Sequence, residues 1–110
     1  MYGPNIPGGY VTGLSTRAGG SGASHPVVID LYKLVPEDQQ SRYHGQCAEA
    51  AMLSEIAFTA DVKSIEELKR IVEYSTSVVY NRKREYKIPC TSCEWVLDLF
   101  KIAYKQEEEN

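Results

Sequence analysis

Two short stretches of this chain carry the residue types that do chemistry. In "HGQCAEAA", Cys47 stands two positions before Glu49; in "IPCTSCEW", Cys90 and Cys93 flank a two-residue gap directly after Pro89. Thiolates are metal ligands and nucleophiles, and a carboxylate nearby can carry a proton. Alone, the C-x-x-C pair is compatible with a redox couple, half of a metal site, or two small core residues. Cys47 changes the weighing. Three cysteines cannot close a disulfide framework, yet they suit a three-ligand metal site with one position open. A redox pair would leave Cys47 and Glu49 without a role.

The elements that must position these residues follow from local pattern. "QCAEAAMLSEIAFTA" has high helix propensity and is apolar nearly all round, which predicts a buried helix opening at Cys47. "TSCEWVLDLFKIAY" puts Trp95, Val96, Leu99, Phe100 and Ala103 on one stripe, with Thr91 and Glu94 at capping-box spacing. All three cysteines therefore fall at helix N-termini, where free N–H groups and the dipole favour thiolate. Glu49 lies in the first turn of its helix. "SIEELKRIVEY" predicts a further helix, capped by Ser64 with Glu67 three residues on.

Elsewhere the β-branched run "PVVIDLYKLV" predicts a strand, as do "TSVVYN" and, after a turn, "REYKIP". "YVTGLS" offers one short strand within a loop-rich N-terminal segment, and "RAGGSGAS" predicts a mobile loop. "KIAYK" could add a short edge strand. The order strand, helix, helix, strand, helix predicts an α/β layered fold. One domain is expected over 1–110: a loop-rich segment 1–25, a core 26–104 and an acidic tail 105–110.

Composition excludes some function classes. The formal charge of −3 rules out a chain that is basic throughout, as a purely electrostatic nucleic-acid binder would be. A local basic strip, "NRKREYK" from Asn81 to Lys87, could still hold a phosphate backbone, or be a solvated turn between two strands. No run approaches the ~20 apolar residues of a membrane span. The first residues carry neither the basic nor the apolar region of a secretory signal, and a longer parent upstream of Met1 is the expectation.

Taken together, the two motifs match the zinc-deaminase pattern H-x-E…P-C-x-x-C, with Cys47 in the histidine position. With "HGQCAEAAMLSE" and "IPCTSCEWVLDLF", the chain resembles the YwqJ-like branch of the cytidine-deaminase-like superfamily. Those domains occur mostly as C-terminal toxin modules of bacterial polymorphic toxins. The likeness extends from "RAGGSGASHPVVIDL" to "EWVLDLF". It implies a three-layer α/β/α fold with a central mixed sheet, shortened at the C-terminal end because little chain follows Tyr104. It also implies Cys47, Cys90 and Cys93 as zinc ligands and Glu49 as the proton shuttle.

The implied reaction is hydrolytic deamination of cytosine to uracil in nucleic acid. DNA is favoured, single strands slightly over double. RNA, adenine and free nucleosides or nucleotides are alternative substrates, and a non-catalytic structural-zinc module is the alternative to an enzyme. That module would need His44 or His25 as a fourth ligand. Candidate substrate contacts are Ser24 and His25 in the Gly-rich loop, His44 ahead of the helix, and the backbone at Ala48. Tyr43, Tyr80 and Tyr86 could stack on bases, although packing is the commoner use. The likeness further implies secretion or delivery into a target cell within a larger bacterial toxin, action in the cytoplasm, and an immunity protein as partner. A monomer without membrane contact is expected.

Overall fold

The computed structural model describes residues 1–42, 44–81 and 83–104. Tyr43 and the acidic tail 105–110 lie outside the described residues. Among the described residues, two 3-10 turns, Thr16–Ala18 and Glu37–Gln39, accompany four α-helices and two short strands. Architecture is thus mixed α/β, as the composition of elements predicts, but with more helix and less sheet.

The first difference lies at "PVVIDLYKLV", which is a helix, α1 (Pro26–Lys33), and not a strand. Pro26 takes the first helical position, where its fixed φ and missing N–H cost nothing. His25 caps the end, its Nδ1 accepting from the Val27 N–H at 3.1 Å. Val27, Val28, Leu31 and Tyr32 are buried, whereas Asp30 and Lys33 face outward and pair at 3.7 Å. That spacing is helical. The β-branched residues suggested a strand, but their period is not two, and packing outweighs intrinsic propensity.

Helix α2 (Ala48–Ala60) is buried along most of its length and ends at Asp61 in the left-handed region, φ 52°. Helix α3 (Ile65–Val72) starts on Ser64, whose Oγ accepts from the Glu67 N–H at 3.2 Å, as the capping spacing predicts. Only Leu68 and Val72 of α3 are fully buried, so it covers the core as an amphipathic flank. Helix α1 packs against α2, α3 and the last helix, making it the hub of the domain.

Strand β1 (Thr76–Ser77), helix α4 (Thr91–Leu99) and strand β2 (Ala103–Tyr104) form a parallel strand–helix–strand unit, Thr76 opposite Ala103. Bridges extend the sheet on the other side. Tyr2 exchanges both backbone hydrogen bonds with Thr76 (2.9 and 2.8 Å) and bridges Tyr10 antiparallel. "YVTGLS" contributes only that bridge. "KIAYK" does supply the edge strand. The strands expected at "TSVVYN" and "REYKIP" reduce to β1 and a Tyr80–Tyr86 bridge, closed by an Asn81 turn whose Oδ1 accepts from Lys83 and Glu85 N–H.

Segment "RAGGSGAS" is tied to the chain that leads into α2. Thr16 N–H donates to Gln46 O at 2.9 Å and Ala23 N–H to Gly45 O at 2.7 Å. Gly22 sits at φ 62°, and a Cβ there would meet Gly45 O at 2.6 Å, so only glycine permits this approach. The buried core joins α1, α2, α3 and α4 through residues such as Leu31, Leu53, Leu68, Leu97 and Phe100. No helix among the described residues is long and apolar enough to cross a membrane.

Candidate metal centre

Cys47 is the N-cap of α2 and Cys90 the N-cap of α4, with Cys93 in the first turn of α4. The cap of α4 is therefore one residue earlier than the Thr91–Glu94 spacing predicts. Cys90 Sγ takes the capping role itself, accepting from the Cys93 N–H at 3.5 Å. On α4 the buried face is Ser92, Cys93, Val96 and Leu97, followed by Phe100. Leu99 is exposed and Trp95 half-buried, so the stripe turns slightly from the predicted one.

The N-termini of α2 and α4 converge and bring the three sulfurs together. All lie within 4.8 Å of one another, and Cys47 Sγ is 3.0 Å from Cys90 Sγ. The three cysteines could hold a metal ion; among the described residues no histidine or carboxylate joins the cluster. Their donor chemistry fits a soft or borderline cation, since two helix N-termini face the sulfurs and favour the ionised form.

The thiols do not ionise alike. Cys90 is held far down, first by the Cys47 thiol donating to it, then by Cys93, with Ser41 assisting. Cys47 is pushed up to about 12, chiefly because it is the donor in that bond. Cys93 is also pushed up, by its bonds with Cys47 and Cys90 and by burial. One negative charge is shared by three sulfurs, and a cation is what would let the other two deprotonate.

Around the sulfurs lies a shell of polar groups. Tyr32 Oη of α1 is 3.1 Å from Cys93 Sγ, and burial holds its phenol well above the usual range, so it stays protonated. Ser92, inside the C-x-x-C gap, is fully buried; its Oγ accepts from the Ser41 N–H at 2.7 Å and lies 2.8 Å from His44 Nδ1. The His44 ring stands edge-on to Tyr32, centroids 5.5 Å apart. His44 thus joins the cysteine loop through Ser92, and its Nδ1 is engaged there.

Glu49 is buried at 4% exposure. Burial pushes its carboxyl up, the charge on Cys90 adds to that, and Lys87 works the other way. It opens into a cavity of about 750 Å³ whose other lining residues include Ala48, Met52, Arg17, Tyr80, Asn81 and Lys87. Ala48 lines the same cavity as Glu49. Ser24 and His25 lie elsewhere. Both donate backbone N–H to Ser54 Oγ, at 2.9 and 3.3 Å, and the His25 ring packs edge-on to Phe58. Phe58 is about 13 Å along α2 from Glu49 at 1.5 Å per residue. These two residues fasten α1 to α2 and do not line the Glu49 cavity.

Sequence reasoning missed Tyr32, the hydrogen bonds of Ser92 and the cavity residue Arg17, whereas Asn81 and Lys87 are the two ends of the basic strip it singled out. For Tyr32 the signal was present: read as a helix, 26–33 puts it on the face of Val28 and Leu31. Comparisons with protein-family models, with curated proteins and with solved structures found no match.

Proposed function

We propose that this chain is a zinc-dependent deaminase that converts cytosine to uracil in nucleic acid, DNA in preference to RNA. The observation that carries the reading is the position of Glu49. It is a buried carboxyl in the first turn of α2, two residues after Cys47 of the three-thiol cluster, and it lines a cavity large enough for a base. Support also comes from the motif pattern and from the parallel strand–helix–strand unit that carries Cys90 and Cys93, which suits the three-layer deaminase fold.

Cys47, Cys90 and Cys93 would hold the zinc, which, bound by three protein ligands, supplies a Lewis acid with an open position for water. Glu49 is the proton carrier. Its raised affinity for a proton suits a group that takes one proton from water and delivers it to the N3 atom of the ring, then moves the second proton of that water, now on the hydroxyl added at C4, to the departing amine. The apolar wall at Met52, Val78 and Val79 excludes water from the ring, while Arg17 and Lys87 at the same cavity suit the phosphates on either side. A base must leave the stack to enter, which favours single strands over duplex. Delivery from a larger bacterial toxin into a target cytoplasm, with an immunity protein in the producer, belongs to the same reading.

The test is to incubate zinc-loaded protein with single-stranded DNA, duplex DNA, RNA and free cytidine, and to score C-to-U conversion by sequencing or chromatography. Conversion is expected first in single-stranded DNA. Glu49→Ala should bind zinc and lose about 10²–10⁴-fold in rate. A Glu49→Ala protein that deaminates like its parent would rule the mechanism out.

A further inference from the structure

Among the groups around the cysteine cluster, Tyr32 is distinctive because it comes from α1, outside both cysteine motifs. Its ring is 3% exposed, and its hydroxyl sits 3.1 Å from Cys93 Sγ. In a metal-loaded centre Cys93 is a thiolate and can only accept, so the phenol must donate. A buried hydroxyl without a partner costs about 1–3 kcal/mol, and Cys93 is the partner the packing provides.

Three thiolates on one dication leave the centre negative, with the Glu49 carboxyl beside it. Each added anionic ligand makes the metal a weaker electrophile. A hydrogen bond to sulfur withdraws part of that charge, and groups that bond to metal ligands also fix ligand orientation. We propose that Tyr32 is a positioning residue of the metal centre, donating its hydroxyl hydrogen to the Cys93 thiolate and so restoring electrophilicity to a three-thiolate site. The ring is held for this by α1, whose helix packs on α2 and α4, and by the edge-on His44 ring. His44 is itself fixed to Ser92 within the cysteine loop. One face of α1 is in this way built into the chemistry of the other two helices.

The inference rests on the metal-binding reading of the cluster, and its test separates the two. Parent and Tyr32→Phe proteins are loaded with Co²⁺, and the thiolate-to-cobalt charge-transfer band is recorded; zinc affinity is measured by chelator competition. The Tyr32→Phe band should move to lower energy, because an unbonded sulfur is a stronger donor, and zinc affinity should fall about tenfold. Tyr32→Met, a flexible side chain without a donor, should shift the band in the same direction and guards against a folding defect of the first variant. A merely structural role would change melting temperature and leave the band energy where it was. An unshifted band in a cobalt-loaded variant therefore overturns the role of Tyr32 alone. A parent that binds neither Co²⁺ nor Zn²⁺ overturns the metal centre together with it.

Discussion

Cys47 Sγ and Cys90 Sγ stand 3.0 Å apart although they cap two different helices far separated in sequence. Two N-caps meeting head to head place two positive dipole ends on one spot. That spot collects thiols, and the thiols compete for a single negative charge. Much of the behaviour expected of the molecule follows from this arrangement.

Metal uptake should release protons. Cys90 is already ionised at neutral pH, whereas Cys47 and Cys93 are held protonated. Binding zinc through all three thiolates then releases about two protons per ion near pH 7.5, and affinity climbs as pH rises. Titration in a weakly buffered solution with a pH indicator measures the number directly. Release near zero would mean that Cys47 and Cys93 do not bind as thiolates.

In the metal-free protein, Glu49→Gln should stabilise the fold at neutral pH. Burial raises the carboxyl's pKa above its unfolded value. The folded state consequently holds its proton more tightly, and stability is lost as pH rises through that raised value. Removing the charge should recover on the order of 1 kcal/mol, a few degrees in Tm. The gain should vanish below about pH 4, where both states are protonated. A gain that persists at acid pH would point to packing and not to charge.

Sequence and structure agree best where one short stretch carries the whole signal. The N-caps at Cys47 and Ser64 and the buried α2 are set by local pattern, while the clustering of three cysteines is legible from ligand chemistry shared by two distant motifs. The strand expected at 26–35 failed because Val27, Val28 and Ile29 favour extended backbone locally. The burial of Val27 and Val28 is decided by α2, α3 and α4, which lie far along the chain, while Ile29 stays exposed. Tyr32 was lost with that strand. Ser92 could be read only as a spacer: a serine in a cysteine gap acquires its hydrogen-bonding role only when Ser41 and His44 fold onto it. The Glu49 cavity likewise joins segments from both halves of the domain, and no local spacing announces such a junction.

Ser92→Ala should therefore damage both stability and metal binding. It removes the acceptor for the Ser41 N–H and the partner of His44 Nδ1, both in a buried place. A loss of about 1–3 kcal/mol in urea unfolding is expected, with weaker zinc binding because the Cys47 approach segment is no longer fastened to α4. Thr91→Ala, at an exposed position in the same gap, is the control and should change little. Equal effects from the two variants would show that the gap acts as a spacer only.

Lys87 offers the sharpest test of substrate class. It lines the Glu49 cavity with Arg17 and lies close enough to act on the Glu49 carboxyl. If nucleic acid lies along this mouth, Lys87 neutralises one phosphate. Lys87→Ala should then raise KM for single-stranded DNA and reduce the salt dependence of binding by about one unit of log–log slope, with cytosine context unchanged. Its effect on a free nucleoside, which carries no phosphate, should be small. Measuring KM at several salt concentrations for oligonucleotide and cytidine separates the cases. An equal loss on both substrates would mean that Lys87 acts through Glu49, by lowering its proton affinity, and that the phosphate backbone runs elsewhere.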